Sequence, residues 1–186
     1  MVIIGSVRPG ARGQTVGSWV KKTIEADKRF ELDYVDLKEL DLPFYNEPAG
    51  GPNAIAYLGG GYQNPKGQKW ADRVAKAEAY ILVTPEYNHS YSAVLKNALD
   101  WVGPEWGGKA VTFVSYGYGN VAGTRAVEHL RSVVPELGMV QTKAALGIPG
   151  IAQAFKEDGT PEDDQLNDVL KTVLDSLYEL GSKLQK

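Results

Sequence analysis

A chain of 186 residues with 43% hydrophobic residues is long enough to fold as one domain with a sizeable core. Its net charge is −3 and its basic residues are scattered, which argues against a nucleic-acid partner. The chain contains no cysteine. This excludes disulfides, thiolate metal ligands and thiol nucleophiles, and it is typical of an intracellular protein.

The sequence carries no predicted targeting or membrane segment. The apolar run over residues 1–5 is too short for the core of a signal peptide. No stretch approaches the ~18 consecutive apolar residues that a transmembrane helix needs. We therefore expect a cytoplasmic protein with no membrane partner.

Short apolar runs alternate with amphipathic segments through the first half of the chain, as strands alternate with helices. In chain order, the predicted elements are a strand over 1–5, a helix over 15–28, a strand over 30–37, a helix over 68–79 and a strand over 80–84. The Gly/Pro-rich connection 43–67 is longer than a routine turn. Its length predicts either a functional flap or an interface segment.

The same alternation continues to the C-terminus. The further predicted elements are a helix over 92–102, a strand over 109–115, a helix over 121–137 and a strand over 139–147. A last helix is expected to open at residues 160–163, where Thr160 resembles a capping residue and Pro161 occupies the first helical position. Strands alternating with helices predict a parallel sheet covered on both faces, in a single α/β domain over 1–186.

The loop over residues 5–15 follows the first predicted strand. Ligands of such sheets bind at the carboxyl ends of the strands. The N–H groups at the start of the next helix, the hydroxyls of Ser6 and Thr15 and the guanidinium of Arg8 would suit a phosphate dianion. The loop has neither the GxxxxGK[ST] nor the GxGxxG pattern. The alternative is a glycine-rich turn with a surface arginine.

The segment after the third predicted strand is PEYNHS, residues 85–90. Pro85 ends the strand because it has no N–H to donate to the sheet. The backbone that follows has donors and acceptors without a strand partner, and a flat heterocycle could take them up. The alternative is a polar turn in which Asn88 or Ser90 caps the next helix.

The loop over 115–125 contains three glycines, Gly117, Gly119 and Gly123, spaced GxGxxxG. Glycines would let the backbone approach a ring system that Tyr116 could flank, or they could merely serve a tight turn. Taken together, the three loops indicate a ligand with a phosphate at one end and a planar, hydrogen-bonding ring at the other. FMN has that shape.

At these loops the sequence resembles the NAD(P)H-dependent FMN reductase family of flavodoxin-like proteins, which includes quinone, azo-dye and chromate reductases. The matching stretches are GSVRPG (5–10), LPFYNEP (42–48), VTPEYNHSYSAVLKNALDW (83–101) and SYGYGNVAGTRAVEHLR (115–131). The resemblance implies a flavodoxin-like three-layer sandwich with helices on both faces of a five-stranded parallel sheet in the order 2-1-3-4-5. It also implies bound FMN, with NADPH or NADH as co-substrate.

The resemblance also implies which residues bind FMN. The family's phosphate-binding loop matches Ser6, Arg8, Thr15 and Val16. The segment whose backbone borders the isoalloxazine ring matches Pro85, Glu86, Tyr87 and Asn88, with Ser90 beside it. The loop at the ring's other edge matches Ser115, Tyr116 and Gly117. The family further implies a homodimer or homotetramer in which the helix containing residues 95–101 helps to form the contact.

One departure from the family pattern lies next to the ring segment. His89 stands where the family often has glycine, which adds bulk at that end of the pocket. We expect His89 to be a loop residue edging the pocket. His89 and His129 are forty residues apart and do not predict a metal site.

The predicted function is that of an oxidoreductase. Hydride would pass from NAD(P)H to flavin N5 and then, in a ping-pong cycle, to a quinone, an azo compound, a metal oxyanion or free flavin. The flavin carries this chemistry, so no side chain is predicted to act as an acid or base. The alternatives are a flavodoxin-type electron carrier and a flavin-binding regulatory protein, neither of which would turn over nicotinamide.

Overall fold

The protein is described by a computed structural model that covers residues 1–47 and 61–185. The described strands are β1 (Val2–Ile4), β2 (Tyr34–Asp36), β3 (Ala79–Pro85), β4 (Ala110–Tyr116), β5 (Val140–Gln141) and β6 (Leu146–Ile148). The described α-helices are α1 (Gly13–Glu25), α2 (Leu37–Leu40), α3 (Pro65–Lys76), α4 (Ala93–Asp100), α5 (Thr124–Glu136) and α6 (Gln165–Leu184). Most of the 43–67 connection lies outside the described residues, so its predicted role as a flap or an interface stays a prediction.

The strands form a parallel sheet in the order β2-β1-β3-β4-β5, and β6 also pairs with β4. This confirms the predicted flavodoxin-like order. The central strands β3 and β4 are paired along their full length, from Ala79 opposite Ala110 to Pro85 opposite Tyr116. Their carboxyl ends therefore lie side by side at one edge of the sheet.

The predicted fifth strand is divided in two. Its first part, β5, pairs with the start of β4, and its second part, β6, pairs with the end of β4. Between them the Thr142 and Thr112 hydroxyls lie 2.9 Å apart, and both are within hydrogen-bonding distance of the Ala144 carbonyl, at 2.7 and 3.0 Å. These side-chain hydrogen bonds satisfy the Ala144 carbonyl where the strand leaves the sheet.

Helices cover both faces of the sheet and make three layers. On one face Trp70 of α3, Leu99 of α4 and Leu130 of α5 pack in a single core cluster against strand side chains. On the other face Val20 of α1 and Leu174 of α6 belong to a second cluster. Because the central strands are buried on both faces, their sequences are continuous apolar runs, and these runs predicted the strands correctly.

Two local predictions about helix starts are wrong. Helix α6 begins at Gln165 and not at residues 160–163. The Pro161 segment instead pairs with Phe155 in an isolated bridge, and the Thr160 hydroxyl bonds to the Asp158 carboxylate at 2.6 Å, so the backbone there is held in a turn.

No helix within the described residues is long and apolar enough to cross a membrane.

Helix α4 is capped by neither Asn88 nor Ser90. Its N-cap is Ser92, whose hydroxyl accepts from the Leu95 N–H at 3.3 Å. The same hydroxyl donates to the Gly5 carbonyl at the end of β1. Ser92 is therefore buried between the first loop and the helix, and it ties the two together.

Candidate active site

The three predicted loops come together at the carboxyl edge of the sheet and line one cleft. The cleft has a volume of about 60 Å³. Its walls come from the loop after β1, the turn after β3, the loop after β4 and one residue beyond β6. The lining residues are Arg8, Pro9, Gly10, Ala11, Arg12, Pro85, Glu86, Tyr87, Tyr116, Gly117, Tyr118 and Ile151.

Six of the residues predicted to bind FMN line this cleft, namely Arg8, Pro85, Glu86, Tyr87, Tyr116 and Gly117. The other six surround it. Buried behind the cleft are Ser6, Val16 and Ser115. Half-buried or exposed at its margin are Thr15, Asn88 and Ser90.

The start of helix α1 is open to an anion. Arg12 at the N-cap makes no side-chain capping bond, and the first turn has no acidic residue. Free N–H groups and the positive end of the helix dipole both favour a phosphate there.

Two buried hydroxyls lie beside this helix start. Ser6 Oγ and Tyr116 OH are both buried and lie close enough to interact with each other, but neither has a further hydrogen-bond partner among the described residues. Burial raises the pKa of the Tyr116 phenol, so this hydroxyl stays protonated and able to donate. Buried donors without partners are rare in native proteins, and a phosphate oxygen would satisfy them. These residues therefore fit the phosphate end of FMN.

Gly13 is essential to this arrangement and was missed in the sequence. A Cβ atom at Gly13 would lie 2.0 Å from Ser6 Oγ and 2.7 Å from Tyr116 OH. Only glycine lets α1 approach the hydroxyls this closely. The sequence feature that could have indicated this role is the glycine at position 13 of GARGQT (residues 10–15), where helix α1 begins.

The turn after β3 is a tight hairpin. The Tyr87 N–H donates to the Ser90 carbonyl at 2.8 Å, and the Ser90 N–H donates back to the Tyr87 carbonyl at 3.0 Å. The two central residues, Asn88 and His89, have φ of 48° and 69°. Positive φ at both central positions is the mark of a type I′ turn. PEYNHS thus ends β3 in a hairpin turn, from which the chain enters α4.

Arg8 links the first loop to this hairpin. Its guanidinium carbon lies 5.6 Å from the centroid of the Tyr87 ring, a cation–π distance. His89 is exposed at the tip of the turn, as expected of a loop residue. Arg8, predicted to bind the phosphate, and Tyr87, predicted to border the ring, are thus in contact.

Helix α5 holds the hairpin from the other side. Arg125 Nε donates to Glu86 Oε1 at 2.7 Å, and Arg125 Nη2 contacts the same oxygen. One turn further along the helix, His129 Nδ1 lies 2.9 Å from Ser90 Oγ. Residues four apart share a helix face, so both contacts come from one side of α5. Arg125 was missed as a site residue, although it lies within the SYGYGNVAGTR stretch.

The loop after β4 contains two kinds of glycine. Gly117 lines the cleft, and its N–H donates to the Ile148 carbonyl at 3.1 Å. Gly123 has φ of +79°, and a Cβ there would lie 2.8 Å from Ser115 Cβ. Gly123 therefore serves the turn into α5. The Ile151 N–H donates to the Gly117 carbonyl at 3.0 Å, a contact that no short-range sequence pattern reveals.

A larger cavity of about 400 Å³ lies at the opposite edge of the sheet. Two charged residues of its lining, Asp33 and Arg29, are already paired with neighbours: Asp33 Oδ1 lies 3.1 Å from Arg73 Nε, and Arg29 Nη2 lies 2.7 Å from Asp175 Oδ1. The carboxyl-edge cleft, in contrast, has buried hydroxyls without partners beyond each other. We therefore place the active site in the smaller cleft. Within residues 1–47 and 61–185, no group of three or more metal-ligating side chains is assembled.

Comparison with known proteins places the chain in a family. The family model described as NADPH-dependent FMN reductase matches residues 1–153. An NAD(P)H-dependent FMN reductase of Saccharomyces cerevisiae is 32% identical over 184 residues, covering 96% of this chain and 95% of that protein. A probable NADPH:quinone oxidoreductase of Oryza sativa is 33% identical over 161 residues, covering 83% of this chain and 77% of that protein.

A solved structure shares the fold. The flavoenzyme NAD(P)H:(acceptor) oxidoreductase of Paracoccus denitrificans superimposes with a TM-score of 0.75 at 23% identity, covering 98% of this chain and 96% of that one. The cleft, with its open helix start and buried hydroxyls, lies within the residues that the family model matches. The chain belongs to the NADPH-dependent FMN reductase family of flavodoxin-like oxidoreductases.

Proposed function

We propose that this oxidoreductase works as one FMN-binding domain that passes electrons from NAD(P)H to a quinone. The observation that carries the proposal is the pair of buried hydroxyls, Ser6 Oγ and Tyr116 OH, which have no partner beyond each other among the described residues and lie next to the uncapped start of α1. A dianionic phosphate is the ligand that this donor set suits best.

The residues divide into two groups around the ligand. At the phosphate end, the hydroxyls of Ser6, Tyr116 and Thr15 and the guanidinium of Arg8 donate to phosphate oxygens, while Val16 packs behind the loop. At the ring end, the backbone of 85–88 and of 115–117 borders the flavin, with Ser90 supporting the hairpin. FMN held by these residues would supply the redox chemistry, as hydride acceptor toward the nicotinamide and electron donor toward the acceptor.

We infer a ping-pong order from the shape of the cleft. It is narrow, and its mouth is bounded by Tyr87 and by Tyr118, which is 76% exposed. A single open ring face would have to receive NAD(P)H and the acceptor in turn. Flat acceptors suit such a mouth, and relatives from Oryza sativa and Burkholderia are named as quinone reductases. An azo compound, a metal oxyanion or free flavin would be a further acceptor.

We also propose that the protein is a homodimer or homotetramer that associates beside α4. Phe44 is 82% exposed, and the neighbouring Tyr45 packs edge-on against Trp101 at the end of α4, with ring centroids 5.3 Å apart. An exposed phenyl ring next to this helix is an apolar surface that a second copy could cover. Sedimentation equilibrium tests the proposal, and a monomer at micromolar concentration would contradict it.

One assay tests the function. The purified protein is expected to bind FMN, seen as flavin absorbance that stays with the protein, and to oxidise NADPH or NADH when benzoquinone is added. Parallel double-reciprocal plots at varied quinone are expected for a ping-pong cycle. Bound flavin without nicotinamide oxidation would favour an electron carrier or a regulatory protein. Absence of FMN binding would contradict the whole proposal.

A further inference from the structure

Glu86 places a carboxylate in the wall of the cleft with little access to water. Its side chain is only 8% exposed. Oxygen Oε1 accepts from Arg125, whereas Oε2 is buried without a partner among the described residues. Burying a carboxylate with half of its hydrogen-bonding capacity unused costs free energy unless a nearby opposite charge compensates for it.

Arg125 supplies the compensating charge from outside the cleft. Its side chain is 43% exposed, and it extends from α5, so it contacts Glu86 without lining the cleft. Within the described part of the chain, Arg125 is the one cation in an ion pair with Glu86. Removing one member of such a pair leaves an uncompensated charge in a poorly solvated place.

The pair lies where the ring end of the flavin is proposed to bind. The Glu86 N–H donates to the Tyr116 carbonyl at 3.2 Å, so Glu86 bridges the ends of β3 and β4. Reduction adds negative charge to the ring. A net negative charge in this wall would oppose reduction, and a neutral ion pair would not.

We propose that Arg125 acts through Glu86 as a positioning residue that sets the reduction potential of the bound flavin. By pairing with the buried carboxylate, Arg125 offsets the negative charge that Glu86 would otherwise place in the wall of the cleft, and it holds the hairpin against α5. The inference rests on the proposed binding of FMN in this cleft.

The sign of each effect follows from the charges. Arg125→Met leaves the Glu86 carboxylate alone, so the midpoint potential of bound FMN is expected to become more negative. Glu86→Gln leaves the guanidinium alone, so the potential is expected to become more positive. The double variant removes both charges, and its potential is expected to return close to that of the wild type. Arg125→Lys keeps the charge and is expected to shift the potential less than Arg125→Met.

His129→Ala is the matched control. It removes the contact from α5 to Ser90 of the same hairpin but leaves the Glu86–Arg125 pair intact. If α5 acted only as a mechanical support, His129→Ala and Arg125→Met would shift the potential alike. On the present proposal, the His129→Ala potential stays at the wild-type value.

The experiment is a reductive titration of each FMN-loaded variant against a reference dye, with FMN dissociation constants measured by fluorescence. Opposite shifts in the two single variants, cancelling in the double variant, support the proposal. Shifts of the same sign, or no shift in Glu86→Gln, overturn it even if Arg125→Met proves too unstable to measure. A wild-type protein that fails to bind FMN would instead contradict the proposed function itself.

Discussion

Two hydroxyls and one glycine form the proposed phosphate end of the cleft. Ser6 lies in the loop after β1, Tyr116 ends β4, and Gly13 begins helix α1. Their proximity depends on the absence of a side chain at Gly13, because any Cβ there would overlap Ser6 Oγ.

Gly13→Ala is expected to weaken FMN binding at least about tenfold, or ~1.4 kcal/mol, because the new methyl group displaces both hydroxyls. Fluorescence titration of FMN with the variant measures this. Gly17→Ala is the matched control: it adds a methyl group to the same helix, 2.5 Å from Tyr34 OH and away from the cleft. It is expected to lower stability and leave FMN affinity unchanged. Equal affinity of Gly13→Ala and the wild type would contradict the assignment.

Arg8→Ala is expected to weaken FMN binding by about 1.5–3 kcal/mol, the usual contribution of a hydrogen bond to a charged group. The same titration at two salt concentrations measures the loss, which is expected to shrink as salt screens the phosphate. Arg8→Lys keeps the charge but loses the forked geometry of the guanidinium. Its FMN affinity is expected to lie between that of Arg8→Ala and that of the wild type. If Arg8→Ala binds FMN as the wild type does, Arg8 has no role at the phosphate.

The hairpin over residues 87–90 is the element that links strand β3 to helix α4. Its type I′ geometry suits Asn-Gly best, because both central residues have positive φ. Asn88 tolerates that conformation, whereas His89 adopts it at a cost. The departure from the family pattern at His89 is thus a point of backbone strain in the structure.

His89→Gly is expected to raise the free energy of unfolding by roughly 1 kcal/mol, because glycine adopts positive φ without a steric cost. Urea denaturation followed by circular dichroism measures the change. Asn88→Gly serves as the comparison and is expected to give a smaller gain, since asparagine already favours this region. A loss of stability in His89→Gly would mean that the imidazole makes a stabilising contact.

At the scale of the whole molecule, an aromatic cluster stabilises the core on one face of the sheet. Trp106 lies edge-on to Trp70 and to Tyr80, with centroid distances of 5.9 and 4.8 Å, and all three are fully buried. They join the short 3₁₀ turn Pro104–Trp106 to α3 and β3. Aromatic pairs in this geometry add to the stability that burial already provides.

Trp106→Ala is expected to lower the free energy of unfolding by about 3–5 kcal/mol, because it leaves a large cavity in the core. Thermal and urea unfolding measure the loss. Val169→Ala, at a position that is 41% exposed on α6, is the control and is expected to change stability by less than about 0.5 kcal/mol. A small effect at Trp106 would show that the cluster can collapse around the missing ring.

Local patterns in the sequence predicted the types and the order of the main elements. Burial of β3 and β4 on both faces produces continuous apolar runs, and the helices show three- and four-residue spacing. One prediction failed where a distant segment decided the outcome. The fifth strand divides where the Thr142 hydroxyl contacts Thr112, 30 residues earlier in the chain. The start of α6 was missed for a more local reason, since Pro161 pairs with the nearby Phe155 and not within a helix.

The amino-acid sequence by itself determined the α/β order, the three loops and, through the PEYN segment, the family. Only the tertiary structure decided that Gly13 closes on Ser6 and Tyr116, and that Arg125 neutralises Glu86. The physical reason is the separation along the chain over which each kind of interaction acts. Periodicity and turn chemistry act over a few neighbouring residues, whereas Glu86 and Arg125 are brought together by the packing of a helix against the ends of two strands.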